Sequence, residues 1–239
     1  SPRVCIEEPA SIMGPMMQFN TNMLEAAMHH NVKWYLYTST VGVYEPAEVL
    51  KEDDVWDTQP SKNDWFGGWA KRMGELQCQA YQKQFGEGKC SIVRPANVYG
   101  PHDKYDLEKS HVFGATITKV MRAKKSLEVW GTGKEIRDFI YADDLVDFIK
   151  LAIKKQKTQY EIYNCGSNTP ISVKQLCEKI VKLSGKDINI KFNKAKPSIP
   201  FNMFLNTAKA KKELGWKATT KIDDGILKTI KWWKENIKK

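Results

Sequence analysis

The sequence predicts an α/β protein built on a parallel sheet, with a smaller α/β lobe in its C-terminal part. Stretches with apolar residues at helical spacing alternate with short apolar runs. Those runs are nearly continuous, as in strands buried on both faces of a parallel sheet. After Pro101 the segments become shorter and more irregular, which marks a second lobe.

Taken in order, Met16 to His30 places Met16, Phe19, Met23, Ala26 and Ala27 on one face and reads as an amphipathic helix. Lys33 to Thr38 follows as an apolar and aromatic run, hence a buried strand. Trp69 to Phe85 is a second long helix that stops at Gly86. Cys90 to Arg94 is the next strand, and Pro101 to Lys109 a polar loop. Val112 to Arg122 is helical, Leu127 to Trp130 a short strand before Gly131-Thr132-Gly133. Asp143 to Lys154 reads as helix, Glu161 to Asn164 as extended, Val173 to Ser184 as helix and Ile188 to Phe192 as strand. The closing helix, about Asp223 to Ile237, carries Ile226, Ile230 and Trp233 on one face. Asp138 and Asp143 are expected to cap or orient neighbouring backbone.

Composition narrows the class. The chain has 239 residues, enough for one large domain or two unequal lobes. Hydrophobic content of 41% and charged content of 28% are those of an ordinary globular protein, and no apolar run approaches the roughly 20 residues of a membrane span. Ser1 to Cys5 lacks the apolar core of a signal peptide, so a cytoplasmic setting is expected. The five cysteines are scattered without a CxxC pair, which points to reduced, mostly buried thiols, no disulfide framework and no metal. The net charge of +10 sits largely on Lys-rich helical faces such as Ala208 to Lys212 and on the stretch from Lys231 to Lys239. It gives a general attraction for anionic ligands. No recognised nucleic-acid module accompanies it, so nucleic acid is not expected as a partner.

One absence matters. A dinucleotide-binding sheet normally opens with a strand, a Gly-rich turn and a helix whose free N–H groups meet the pyrophosphate. No such turn occurs here, so either the fold is of another kind or the first β-α-β units are not in this chain.

Four segments carry chemistry: Tyr37-Thr38-Ser39-Thr40-Val41-Gly42-Val43-Tyr44; Gly68-Trp69-Ala70-Lys71-Arg72-Met73-Gly74-Glu75; Arg94-Pro95-Ala96-Asn97-Val98-Tyr99-Gly100-Pro101-His102-Asp103; and Val129-Trp130 through Arg137-Asp138 to Tyr141. Thr40 follows a strand, and a hydroxyl there faces the crevice where ligands bind in open α/β sheets. In order and spacing the four segments resemble the extended short-chain dehydrogenases, the NAD-dependent epimerases and dehydratases of nucleotide sugars. The resemblance runs from about Met16 onward.

The resemblance implies a truncated Rossmann-type parallel sheet. Residues 1–100 and 136–169 would form a partial dinucleotide-binding domain, and 101–135 with 170–239 a substrate-binding lobe. It implies NAD or NADP as cofactor, a nucleotide-diphosphate sugar as substrate and a homodimer. Thr38, Ser39, Lys71, Pro95, Asn97 and Val98 would contact the cofactor. Thr40, Asn97, His111 and Arg137 would contact substrate, with Thr40, Lys71 and His111 in catalytic roles. Lys71 would bind the nicotinamide ribose and lower the pKa of a Tyr one helical turn before it. Arg137 would clamp the diphosphate with a planar bidentate donor. Each residue also has a plain reading: a turn Thr, a solvated helix Lys, a helix N-terminal His, a turn Asn, a surface Arg.

The sequence departs from the pattern at three places. The Tyr position is Gly67, which has no proton-transfer group, and Trp65, Phe66 and Trp69 cannot substitute for it. The Cys that some relatives use in epimerisation falls on Gly42. Asn202 and Asn206 stand where relatives carry an Arg and an Asp before Leu214-Gly215-Trp216. Two readings follow: an enzyme that relies on another base, or a catalytically silent relative that binds a nucleotide or a protein partner. Without the Gly-rich turn, the chain is expected to bind dinucleotide poorly.

Overall fold

The computed structural model describes residues 7–86, 88–108, 110–196 and 202–237. Cys5, Lys238 and Lys239, which entered the reading of thiols and charge, lie outside them. Among the described residues, helix α1 (Pro9–His29) is followed by strand β1 (Trp34–Thr38), helix α2 (Trp65–Phe85) and strand β2 (Lys89–Pro95). Helix α1 starts earlier than its apolar period predicts and runs through Pro15. Pro9 occupies its first turn, where a missing N–H is harmless. Helix α2 likewise begins four residues before the expected Trp69, because tertiary contact outweighs the low propensity of Gly67 and Gly68.

Strand β3 (Asn97–Tyr99) leads into α3 (Val112–Arg122), β4 (Ser126–Trp130), β5 (Ile136–Arg137), β6 (Phe139–Tyr141), α4 (Ala142–Lys155) and β7 (Tyr160–Cys165). The remainder is β8 (Ile171–Ser172), α5 (Val173–Ser184), β9 (Asn189–Asn193), α6 (Ala208–Leu214) and α7 (Ile222–Asn236). Helices α3 and α5 match the sequence reading at both ends. Strands β3, β5, β6 and β8 are two or three residues long and exist only through partners far along the chain.

The central sheet has the order β1-β2-β7 and is parallel throughout. Parallel strands need crossover helices, which is why α2 separates β1 from β2 and why β2 to β7 is a long excursion. Short pairs β3–β6 and β4–β9 are also parallel, while β5–β8 is antiparallel. Of three hydrophobic clusters among the described residues, two are large. One gathers Val43, Leu50, Val93, Ile140, Phe148, Tyr163, Leu205 and Trp216 around the sheet. The other joins Phe113, Ile117, Leu127, Leu176, Ile180, Ile226 and Trp233 from α3, β4, α5 and α7. The three apolar residues foreseen on one face of α7 are all buried there. Cys78, Cys90, Cys165 and Cys177 are free and buried. No helix among the described residues is long and apolar enough to cross a membrane, and no cluster among them could hold a metal ion.

Candidate active site

Strands β1 and β2 end side by side, with Thr38 paired to Val93. The chain leaves β1 through Ser39 and Thr40 and turns at once into a single 3₁₀ turn, Val41–Val43. Thr40 caps that turn: its hydroxyl oxygen accepts the Gly42 N–H at 3.1 Å. Helix α2 presses its first turn onto the same place. A Cβ on Gly68 would lie 2.7 Å from the Gly42 carbonyl oxygen, so only glycine permits this approach.

Lys71 reaches back across that contact. Its Nζ donates to the Thr38 carbonyl at 2.7 Å and stands 5.0 Å from the centre of the Tyr37 ring. Burial pushes the ammonium below its ordinary value, with Glu75 opposing the shift. An ammonium has three donors, and one is committed to Thr38. Thr38, Ser39, Thr40 and Lys71 are therefore brought together as the sequence anticipates, with Pro95 at the end of the adjacent strand.

Beneath them lies an ionic scaffold that local sequence patterns did not reveal. Glu75 and Arg94 are both fully buried and joined by two hydrogen bonds, Nε to Oε1 at 2.9 Å and Nη2 to Oε2 at 2.6 Å. Ser39 donates to the same carboxylate at 2.5 Å. Arg94 also donates to the Tyr44 hydroxyl at 2.9 Å and to the Glu52 carbonyl at 2.7 Å, and Tyr44 donates to Asn164 at 2.6 Å. A buried ion pair needs such complete satisfaction to persist. The available hint was Glu75 one turn after Lys71 on the same helix face.

A second group forms around Asp138. Asn97 donates its side-chain amide to the Asp138 carbonyl at 2.9 Å, and its backbone N–H goes to the same oxygen at 3.1 Å. Asp138 accepts from the Ser167 N–H at 2.9 Å and hydroxyl at 2.5 Å, so it orients backbone as expected. Asp143 lies in the first turn of α4 with no capping bond; its neighbour Asp144 instead holds the backbone N–H groups of Thr219 and Thr220. Arg137 is buried, not a surface residue, and donates to the Ile136 carbonyl at 2.8 Å. Burial pushes its guanidinium below the ordinary value, against the pull of Glu135. Asn202 accepts the Ile136 N–H at 3.0 Å, and Asn206 accepts the Ala208 N–H at 2.8 Å to start α6. Both asparagines thus hold backbone where the resemblance placed charged side chains.

Val98 pairs with Ile140 and is 38% exposed. His111 stands at the surface as the N-cap residue of α3, without a capping hydrogen bond. Partial burial lowers its pKa from the ordinary value, with Asp103 acting against the shift. A hollow of about 200 Å³ opens at the opposite end of the sheet against Tyr35, Cys78 and Lys89. Another of about 370 Å³ lies beside Tyr44, Pro46 and Asp53. Neither is lined by Thr40, Lys71, Asn97 or Arg137.

The profile of the NAD dependent epimerase/dehydratase family matches residues 1–166. This chain belongs to that family. Epimerase-family relatives agree. A probable GDP-L-fucose synthase of Oryza sativa subsp. japonica is 30% identical over 237 residues, covering 96% of this chain and 71% of its own length. The UDP-glucose 4-epimerase of Thermotoga maritima, solved with UDP-glucose, shares the fold at a TM-score of 0.88 and 24% identity, covering 100% of this chain and 75% of that one. A GDP-L-fucose synthetase of Naegleria fowleri bound to NADP does so at 0.88 and 20%, covering 95% and 74%.

The epimerase-family cofactor is NAD or NADP. The residues present fit its nicotinamide half. Open α/β sheets bind such ligands outside the carboxyl ends of their strands, and here those ends carry a half-buried cation with donors to spare beside Ser39 and Thr40.

Proposed function

We propose that this protein is an NAD(P)-dependent nucleotide-sugar epimerase, dehydratase or reductase acting by hydride transfer at a sugar carbon. One observation carries the reading: Lys71 is anchored on the Thr38 carbonyl at the ends of two parallel strands, beside the Thr40 hydroxyl. When bound, the dinucleotide accepts or returns hydride at a sugar carbon. Lys71 holds the nicotinamide ribose through its remaining N–H donors. Ser39, Pro95, Asn97 and Val98 shape the rest of the cofactor wall. Thr40 donates to the reacting sugar oxygen, where hydrogen bonding strengthens as charge develops. Arg137 grips the diphosphate, and His111 supplies a sugar hydrogen bond or an acid. The strand-end region and the α3–α5–α7 core would then serve as cofactor and substrate lobes. A homodimer belongs to the same reading, supported by Phe19 and Met23 on α1 and Leu76 on α2, which are 63%, 43% and 43% exposed. Four buried free thiols support a reducing, cytoplasmic compartment.

The test is direct. Purified full-length protein is mixed with NAD or NADP and a panel of GDP- and UDP-linked sugars, with nicotinamide absorbance and sugar NMR as readouts. Turnover is expected, and Lys71→Met should lower it by about 10²-fold or more through lost cofactor positioning. A second reading, a silent relative that only binds nucleotide sugar, is favoured by Gly67, which offers no proton-transfer group one turn before Lys71. Calorimetric binding of a nucleotide sugar with no hydride movement in any combination would select it.

A further inference from the structure

The two glycines that break the family pattern share one neighbour. Gly42 and Gly67 stand at the places the resemblance gives to a Cys and a Tyr, and the Asp64 carboxylate occupies the space that either side chain would enter. Its Oδ2 lies 2.6 Å from the position a Cβ on Gly42 would take, and its Oδ1 lies closer still to that of Gly67. The same Gly42 position is 3.4 Å from Thr40 Cγ2, so the carboxylate and the Thr40 methyl group flank a single point next to the hydroxyl-bearing carbon of Thr40.

Asp64 could be only a helix cap, since it immediately precedes α2. A capping carboxylate turns its oxygen onto the free N–H groups of the first turn. Asp64 makes no side-chain capping bond. Its backbone is fixed instead, with its N–H on the Ser61 carbonyl at 3.0 Å closing the preceding 3₁₀ turn. The side chain leans across Gly67 toward Gly42.

We propose that Asp64 replaces the tyrosine as the group that exchanges a proton with the reacting sugar oxygen; this rests on the hydride-transfer reading above. In the oxidative direction the sugar C–H bond breaks and its electron pair leaves as hydride to the oxidised nicotinamide. The O–H bond of the same carbon breaks, its proton passes to an Asp64 carboxylate oxygen, and the C=O bond forms. In the return direction the protonated Asp64 gives that proton back to the oxygen as hydride arrives at carbon. Thr40 donates to the same oxygen throughout. A side chain at residue 67 would displace the Asp64 carboxylate from its present position.

The experiment uses full-length protein with NAD(P) and a nucleotide sugar that the wild type turns over. Asp64→Asn, nearly isosteric, should lower kcat by about 10²-fold or more, the usual scale of a lost proton-transfer group. Melting temperature and the calorimetric Kd for nucleotide sugar and dinucleotide should stay unchanged, which a merely structural residue would not allow. Asp64→Ala should recover turnover when formate is added. Gly67→Tyr alone should lose activity, because it displaces the carboxylate, while Gly67→Tyr with Asp64→Ala should regain it. Full kcat in Asp64→Asn overturns the proposal, as does a double variant no better than Gly67→Tyr together with no rescue by formate. A wild type that binds nucleotide sugar yet transfers no hydride defeats the hydride-transfer reading itself, before any variant is made, and Asp64's role with it.

Discussion

Glu75 and Arg94 support the strand-end turn from beneath. Their paired charges sit in a dry interior and set the height of Ser39, and through Tyr44 and Asn164 they tie the strand-end turn to β7. Removing one partner strands the other charge, whereas removing both leaves only a packing problem. Arg94→Met should therefore cost about 3–5 kcal/mol in urea unfolding, and Arg94→Met with Glu75→Leu clearly less than the sum of the two single changes. The same scale accounts for what sequence reasoning missed. Thr40, Lys71 and Asn97 were legible because each lies in a motif of fixed spacing. Asp64 was not, since its meaning comes from two glycines at different distances along the chain, and neither leaves a local signature.

Among the elements, those with a strong period were readable and those made by long-range pairing were not. Helices α3 and α5 carry clean amphipathic patterns and begin and end where these do. Helix α5 also has a reciprocal capping box: Ser172 accepts the Gln175 N–H at 3.1 Å, and the Gln175 side chain accepts the Ser172 N–H at 2.8 Å. Ser172→Ala should cost about 1 kcal/mol, measured by thermal or urea unfolding, since it frees an otherwise satisfied N–H at the helix start. The two-residue strands β5 and β8 have no period to detect. They form because Ile136 and Arg137 meet Ser172 and Ile171 across 34 to 36 positions of sequence.

For the whole molecule, burial of tyrosines links stability to pH. Burial pushes the Tyr35 phenol up to about 12. Burial also holds Tyr37, Tyr99 and Tyr160 well above the ordinary phenol value. A folded pKa above the unfolded one means that the folded state keeps the proton longer. The stabilisation is full below the unfolded value of about 10 and is lost as pH rises through the folded values. Ionised-tyrosine absorbance should thus lag behind that of free phenol and then rise together with loss of circular dichroism, as one alkaline unfolding transition. Separate titration of these tyrosines near pH 10 in folded protein would contradict the packing described. Light scattering after size exclusion should give twice the chain mass if the exposed apolar residues of α1 and α2 meet across a two-fold axis.

By itself the sequence determined the class of fold and the order of its main helices and strands, because these rest on local periodicity, while four motifs in register carried the resemblance that implied the cofactor. Tertiary structure alone decided which residues meet: Glu75 with Arg94, Asn97 with Asp138, and Asp64 with Gly42. Such contacts join positions far apart in the chain and depend on how closely helix α2 can approach the end of β1. That approach is set by the absence of a side chain at Gly68, a property that shows only when the backbones are brought together.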